Sequence, residues 1–186
     1  MNKFSKLCIA ALAASSMVTP AFAQQIDAGK TLYLEGGAVL VKGITSSCTL
    51  ELDISTDPSG TGLTSTGTLN SGSNSGAGIC PGLTIDPTTF SLISYDPTGN
   101  GSAIGRLDDL VVRLSGVPIC AYDPALDPFP DFLIENLNAS PAKGVEVTFG
   151  VSGPVKISGT VPAPGDCTAD ASLLERDLPE VLRVVP

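Results

Sequence analysis

Apolar and polar residues alternate one by one through much of the chain after residue 30, the period of a strand with one buried face. In Cys48-Thr-Leu-Glu-Leu-Asp-Ile54, Cys48, Leu50, Leu52 and Ile54 share one face, and Thr49, Glu51 and Asp53 share the other. Val145, Val147, Phe149 and Val151 repeat the pattern, and Val155, Ile157 and Val161 resume it after Gly153-Pro154. This spacing predicts a hairpin over residues 144–161. Another strand is expected across 107–115, where Leu110, Val112 and Leu114 flank an outward Arg113. Shorter strands are expected at 31–34, 38–42, 89–95 and 132–137. Helical winding would scatter these apolar residues around the circumference. One buried face per strand therefore predicts a mainly β protein, an antiparallel two-sheet β-sandwich of Ig-like form.

The punctuation agrees. Asp-Pro occurs five times, at Asp57-Pro58, Asp86-Pro87, Asp96-Pro97, Asp123-Pro124 and Asp127-Pro128. Aspartate bonds back to nearby amides and proline cannot donate to a ladder, so each pair marks a turn. Residues 56–82 are rich in Ser, Thr and Gly. Within them, Thr61 to Leu69 reads as a weak edge strand and Asn70 to Gly78 as a flexible loop with little to bury. The only helical candidate is Asp170 to Val185, interrupted by Pro179. No internal repeat or linker divides the chain, so a single domain over residues 24–186 is expected.

The first residues read as an address. Lys3 and Lys6 precede the apolar run Leu7 to Ala14, and Ala21-Phe22-Ala23 has the small residues of a signal-peptidase site, so residues 1–23 are expected to be a signal peptide. The run is far shorter than the roughly 20 residues a membrane helix needs. No later stretch reaches that length, and no membrane span is expected. The protein is then secreted, to the cell surface or medium, with the periplasm as the other compartment. Cleavage removes Cys8 and both early lysines but no acid, so the remainder is more acidic than the full chain's formal charge of −9. Such a charge excludes a nucleic-acid partner, which needs clustered Lys and Arg. Cys48, Cys80, Cys120 and Cys167 remain, an even number in an exported chain, which reads as two disulfides. Three pairings are open, and the sequential one, Cys48–Cys80 with Cys120–Cys167, is the expectation. A tetrathiolate metal site would need closer cysteine spacings than these.

Candidate chemistry is sparse. The chain has no His, which removes Ser-His-Asp and Cys-His catalysis and His-ligated metals. Asp108 and Asp109 are adjacent, so on a strand they point to opposite faces. Asp96-Pro-Thr-Gly-Asn-Gly101 imitates the start of a calcium loop, but its twelfth position is Leu107 instead of a bidentate acid. Asp123, Asp127 and Asp131, four apart, are the candidate metal ligands. There is no G-x-S-x-G and no glycine loop ahead of a helix. The reading is a protein that is not an enzyme and carries no cofactor. Between Ala121 and Leu133, Tyr122, Leu126, Phe129 and Phe132 lie in a proline-rich stretch. They either cap one end of the sandwich or form an apolar patch for a partner or an oil–water boundary.

The order of features also resembles a family. A signal peptide precedes a strand pair with Gly43-Ile44 and Ser47-Cys48-Thr49-Leu50, and a Gly/Ser/Thr stretch leads to Gly78-Ile79-Cys80. Leu107 to Cys120 supplies an apolar strand ending in the third cysteine, and a late hairpin precedes Cys167. Over residues 30–170 this layout resembles the small secreted bacterial proteins called activators of alkane oxidation (PraB-like). Their Pro-Trp element has no counterpart, since the chain lacks Trp. The resemblance implies an extracellular, non-enzymatic accessory protein acting on a hydrophobic substrate or a cell-surface component. The alternative is self-association, as a subunit of a surface fibre or pilus assembled by strand exchange. There Ile26, Ala28, Leu32 and Leu34 would form the inserted face, interrupted by Lys30.

Overall fold

Most of the alternating segments become strands, and their inner faces close on one another. The structure, a computed structural model, describes residues 25–96, 101–137, 144–150, 155–159, 167–176 and 184–185. The strands are β1 (Gln25–Asp27), β2 (Thr31–Val41), β3 (Thr45–Thr56), β4 (Leu63–Thr64), β5 (Thr66–Ser75), β6 (Leu83–Ile85), β7 (Thr88–Asp96) and β8 (Ser102–Leu107). They continue as β9 (Val111–Leu114), β10 (Val117–Ala121), β11 (Asp131–Asn136), β12 (Val145–Phe149), β13 (Val155–Ile157), β14 (Cys167–Glu175) and β15 (Val184–Val185). Eight of them run edge to edge in the order β5-β3-β2-β14-β12-β11-β8-β7, and β7 returns to β5. The result is a closed antiparallel barrel.

This corrects the two-sheet, Ig-like sandwich. The chain is mainly β as expected, but the sheet wraps onto itself because β5 pairs on both edges. Its whole length lies along β3, and Thr66–Leu69 also pairs with Leu69↔Thr88 to Thr66↔Ser91 on β7. Alternation reports that one face is buried; it does not say whether that face meets a second sheet or its own far edge.

The fork in β5 is a bulge. Asp53 stands opposite Ser71 and Ile54 opposite Leu69, which leaves Asn70 as an extra residue. Its side chain clips the bulge to β3: Asn70 Nδ2 donates to Asp53 Oδ1 at 3.1 Å, and Ser55 Oγ donates to Asn70 Oδ1 at 3.2 Å. Beyond this point β5 leaves β7 and pairs with β6, at Gly72↔Ile85 and Ser73↔Thr84. The expected flexible loop from Asn70 is therefore strand as far as Ser75. Its small residues suit it to the site, since a side chain at Gly72 would strike Ile85 Cβ at 2.8 Å and Leu52 Cδ2 at 2.9 Å.

Inside the barrel, apolar side chains from every wall meet. Phe132 sits at the centre, 5.8 Å from the Phe90 ring edge-on and 5.5 Å from Phe149, centroid to centroid. Such geometry favours the aromatic quadrupoles as well as burial. Room for it comes from Gly105 on β8, where any Cβ would overlap the Phe132 ring.

One barrel end is plugged by a small sheet, β15-β1-β4. Ile26 is fully buried there. Thr56 fastens the plug, donating its hydroxyl to the Asp27 carbonyl at 2.7 Å and accepting the Lys30 amide at 2.9 Å. Asn136 holds β15 with two bonds, donating to the Val184 carbonyl and accepting its amide, at 2.9 and 2.8 Å.

Three local expectations also change. The 144–161 segment is not a hairpin: β12 and β13 lie one after the other along the same strand, β14, and residues 151–154 between them are outside the described residues. The helical candidate at 170–185 is replaced over its first half by β14, whose inner positions Ala171 and Leu173 are buried between β12 and β2. The strand expected over 107–115 is broken: Leu107 ends β8, and β9 begins at Val111. Turn signals fared better. Asp57, Asp86, Asp123 and Asp127 all follow strand ends, and Asp96 closes β7. The signal segment 1–23, Pro97 to Asn100 of the calcium-like loop, and Pro179 lie outside the described residues.

The Asn70 clip predicts a measurable effect. Asn70→Ala removes two partly buried hydrogen bonds at the fork, and urea denaturation should show a loss of about 1–2 kcal/mol. An unchanged midpoint would mean that the bulge holds without its side chain.

Candidate functional site

The second barrel end is spanned by a flap. From the fork, β6 pairs with β9 and β9 with β10, in a ribbon that departs from the barrel wall. The β9–β10 turn is tight, with positive φ at both Ser115 and Gly116 (51° and 82°), the pairing that suits a two-residue hairpin. On the far side, the Ala121 amide donates to the Ser158 carbonyl at 3.0 Å, and Cys120 bridges Gly159, just past β13. Since β13 is itself paired to β14, the ribbon crosses from one wall of the barrel to another.

Both disulfides fasten this flap, with the sequential pairing expected. Cys48–Cys80 ties β3 to the single 3₁₀ turn, Cys80–Gly82, that leads into β6. Cys120–Cys167 ties β10 to the start of β14. Loops of 32 and 47 residues are closed. Chain-entropy arguments put such closures at about 4 kcal/mol each. The bonds are compatible with an oxidising extracellular or periplasmic location. On the flap itself, Arg113 Nε donates to both Asp86 oxygens at 2.7 and 2.9 Å. That bond holds the Asp86 carboxyl below its usual range, against a smaller opposing effect of burial.

Beneath the flap lies an apolar hollow with a cavity volume of about 60 Å³. Leu50, Leu52, Leu69 and Phe149 line it from the barrel, Leu83, Ile85 and Val112 from the flap, and Val155 and Ile157 from β13. Among the described residues that line it, Asn74 and Asp170 are polar and none is Lys or Arg, and Asp170 is exposed, between the inward positions Ala169 and Ala171 of β14. Its space arises where small side chains face the flap: Ala38 and Ala171 stand opposite each other on β2 and β14, and Ala169 is next to them. At the plugged end the corresponding gap is about 20 Å³.

The residues singled out from the sequence border this end. Leu126 is 75% exposed and Phe129 54% exposed in the β10–β11 connection. Phe129 carries the Arg106 guanidinium over its ring at 3.8 Å, and the Tyr122 ring lies 6.3 Å from it. Phe132 does not belong to that patch. It is the next β11 position, points into the barrel and is 6% exposed, so the apolar stretch divides between surface and core. Tyr122 packs against the core, with its amide bonded to the Leu110 carbonyl at 2.9 Å.

The three aspartates have separate partners. Asp131 takes a two-pronged bond from Arg106, at 2.7 and 3.2 Å. Asp127 accepts the amide and hydroxyl of Ser158, at 2.7 and 3.0 Å, and the Asp123 amide at 3.0 Å. Asp123 closes a turn by accepting the Ala125 amide at 2.9 Å. Among the described residues no three His, Cys, Asp or Glu side chains form a group able to hold a metal ion. Asp108 and Asp109 lie between strands: Thr89 donates to Asp108, and Asp109 accepts the Leu110 amide at 2.7 Å. No described helix is long and apolar enough to cross a membrane.

The hollow itself escaped sequence reasoning. Leu83 and Ile85 alternate, but three residues are too few to register a period. Leu69 lay at the border of a segment read as loop. Comparison of the chain with protein-family models, curated proteins and solved structures finds no match.

Two outcomes are expected. Replacing Cys120 and Cys167 together by Ala should lower unfolding free energy by about 4 kcal/mol and speed amide exchange in β9 and β10 over that in β2 and β3. Uniform exchange across these strands would contradict a tether specific to the flap. Tyr122 offers a pH test. Its hydroxyl is buried with no hydrogen-bond partner among the described residues. Burial pushes its pKa up, Arg106 offsets part of the rise, and Asp127, Asp131 and Asp123 add to it. An unfolded tyrosine titrates near about 10, so the phenol's contribution to stability is complete below that pH and is lost as pH rises through the folded value. Absorbance titration should show a late tyrosinate step that Tyr122→Phe removes.

Proposed function

We propose that this is an exported, non-enzymatic accessory protein that takes up apolar compounds at the cell exterior, as the resemblance to the activators of alkane oxidation implies. The apolar hollow under the flap is the observation that carries the reading. An interior built only for stability would be packed to crystal-like density, whereas here small side chains leave about 60 Å³ at the flap end against about 20 Å³ at the plugged end. The hollow is apolar and bordered by few polar groups among the described residues, the usual character of a small-molecule site. Leu126 and Phe129, exposed at the same end, are suited to contact with an oil droplet or another apolar surface.

Two features weigh against the other classes. Acid pairs for hydrolysis must face one another across a substrate, and the carboxylates described above are engaged with amides, hydroxyls and arginines instead. Strand exchange requires a vacant lane in a sheet, and each barrel strand has a neighbour on both sides. In particular β2, which holds Leu32 and Leu34, is already paired with β3 and β14 of its own chain.

Headspace gas chromatography over a solution of the purified protein with hexane tests the reading. Uptake that saturates near one hexane per chain is the expected result. Uptake no greater than that of an equal mass of a compact control protein would overturn it. Fractionation of the producing cells adds a second check: a ladder of large species that collapses only on boiling would replace this reading with the fibre.

A further inference from the structure

We infer that two copies of the chain pair face to face through the outer wall formed by β7, β8 and β11, in a closed two-fold dimer. The pairing concerns the outside of the barrel and is independent of what the hollow takes up.

The outer face of this wall differs from the rest. Ile104 lies between the buried Ala103 and Gly105, and Leu133 between the buried Phe132 and Ile134, so both point outward. They stand side by side on β8 and β11, and Ile104 is 40% exposed. Followed around the barrel, the same row continues as Thr148, Ser172, Gly37 and Thr49, on β12, β14, β2 and β3. The row is therefore polar or bare where it meets water and apolar on one wall. A bulge adds to that wall. Leu92 stands opposite Gly105 and Ser94 opposite Ile104, which leaves Ile93 as an extra residue, 41% exposed, beside the strip. Bulges re-aim side chains, and this one turns an isoleucine to the outside. Toward the flap the strip ends at Arg106, which carries the exposed Phe129 ring on its guanidinium. Apolar anchors beside an aromatic–arginine group are the usual composition of an interface centre.

The occupant follows from the register. Across β8 and β11 the outward pairs are Ser102 with Glu135, Ile104 with Leu133, and Arg106 with Asp131. A two-fold axis running between these strands and parallel to them lays β8 of one copy over β11 of the other. Each side chain then meets the kind of neighbour it already has in its own sheet. Ile104 meets Leu133, the Ser102 hydroxyl faces the Glu135 carboxylate, and Arg106 meets Asp131. Within one chain Arg106 and Asp131 bond at 2.7 and 3.2 Å, and both side chains stay partly exposed, with surface left for a second partner. Two such pairs close into a ring of alternating charge. That ring matters in a chain of formal charge −9, which would otherwise repel its own copy. An isologous contact of this kind stops at two chains. Three strands and one loop make a small face, so the dimer dissociates on dilution.

Sedimentation of the disulfide-bonded protein over a dilution series tests the pairing. The weight-average mass should climb toward twice the monomer as concentration rises. Ile104→Lys should raise the dissociation constant at least about tenfold, whereas Leu174→Lys, at an exposed position on another wall, should leave it unchanged. Arg106→Asp and Asp131→Arg give the sharper result. Either variant alone gathers four like charges at the ring and should stay monomeric. Mixed in equal amounts, the two should form a mixed dimer, because each chain supplies the charges the other lacks. A contact within one chain would not produce that rescue. A mass that stays at the monomer up to about 1 mM overturns the pairing and leaves the strip to a different partner. Growth beyond two chains overturns it as well, as does a dimer lost with Leu174→Lys and kept with Ile104→Lys. If a charge variant does not fold, the parent dilution series and Ile104→Lys still decide.

Discussion

The pairing of β5 with two successive neighbours is the constraint on which the architecture depends. Its first residues complete the hydrogen bonding of β7, so the barrel has no open edge there. Its later residues turn to β6 instead, so the same strand begins the flap. A strand edge bonds only one neighbour at a given position, so the change of partner obliges the ribbon to part from β7. The Asn70 bulge accommodates the change, since an extra residue adds local twist and bends the strand.

From that fork the remaining features follow in order. The ribbon that leaves the barrel must bury its own apolar face, and it does so by lying across the nearby barrel end. A ribbon of three short strands would be weak alone, and the two disulfides supply the attachment its small area cannot. Where the flap meets Ala38 and Ala171, neither surface fills the space between them. At the opposite end the buried Ile26 and Val184 leave a gap of only about 20 Å³, which is why a plug and a larger hollow share one barrel. The Tyr122, Phe129 and Arg106 group is fastened beside the hollow by Asp131 and Asp127, so the acids first considered as metal ligands act here as fasteners of a loop.

Legibility followed the length of each pattern. Cys48 to Ile54 alternates over seven residues and lies within β3. The Asp-Pro pairs marked strand ends because their signal is local to two residues. By contrast, Thr66 to Ser75 contains one apolar residue beyond glycine's neutrality, Leu69, and its strand state comes from backbone bonds to three partners. Asp170 to Glu175 has apolar spacing that fits a helix as well as a strand, and the vacant lane between β12 and β2 decided between them. In the candidate loop, Tyr122, Leu126, Phe129 and Phe132 are equally apolar on paper. Phe132 faces inward because β11 begins just before it, and register in a barrel assigns each successive side chain to the opposite face.

The amino-acid order by itself determined the strand-rich class, most strand positions, the turns, the acidic charge, the absence of histidine chemistry and the cysteines available for pairing. All of these depend on residue identity or on neighbours a few positions apart. Only the tertiary structure decided that the sheet closes as a barrel, that β12 and β13 share one partner, and that a flap crosses one end above an apolar hollow. Those outcomes depend on which strands meet across dozens of residues. Pairing energy is nearly the same for many partners, so the choice falls to the whole set of side chains that must be buried together.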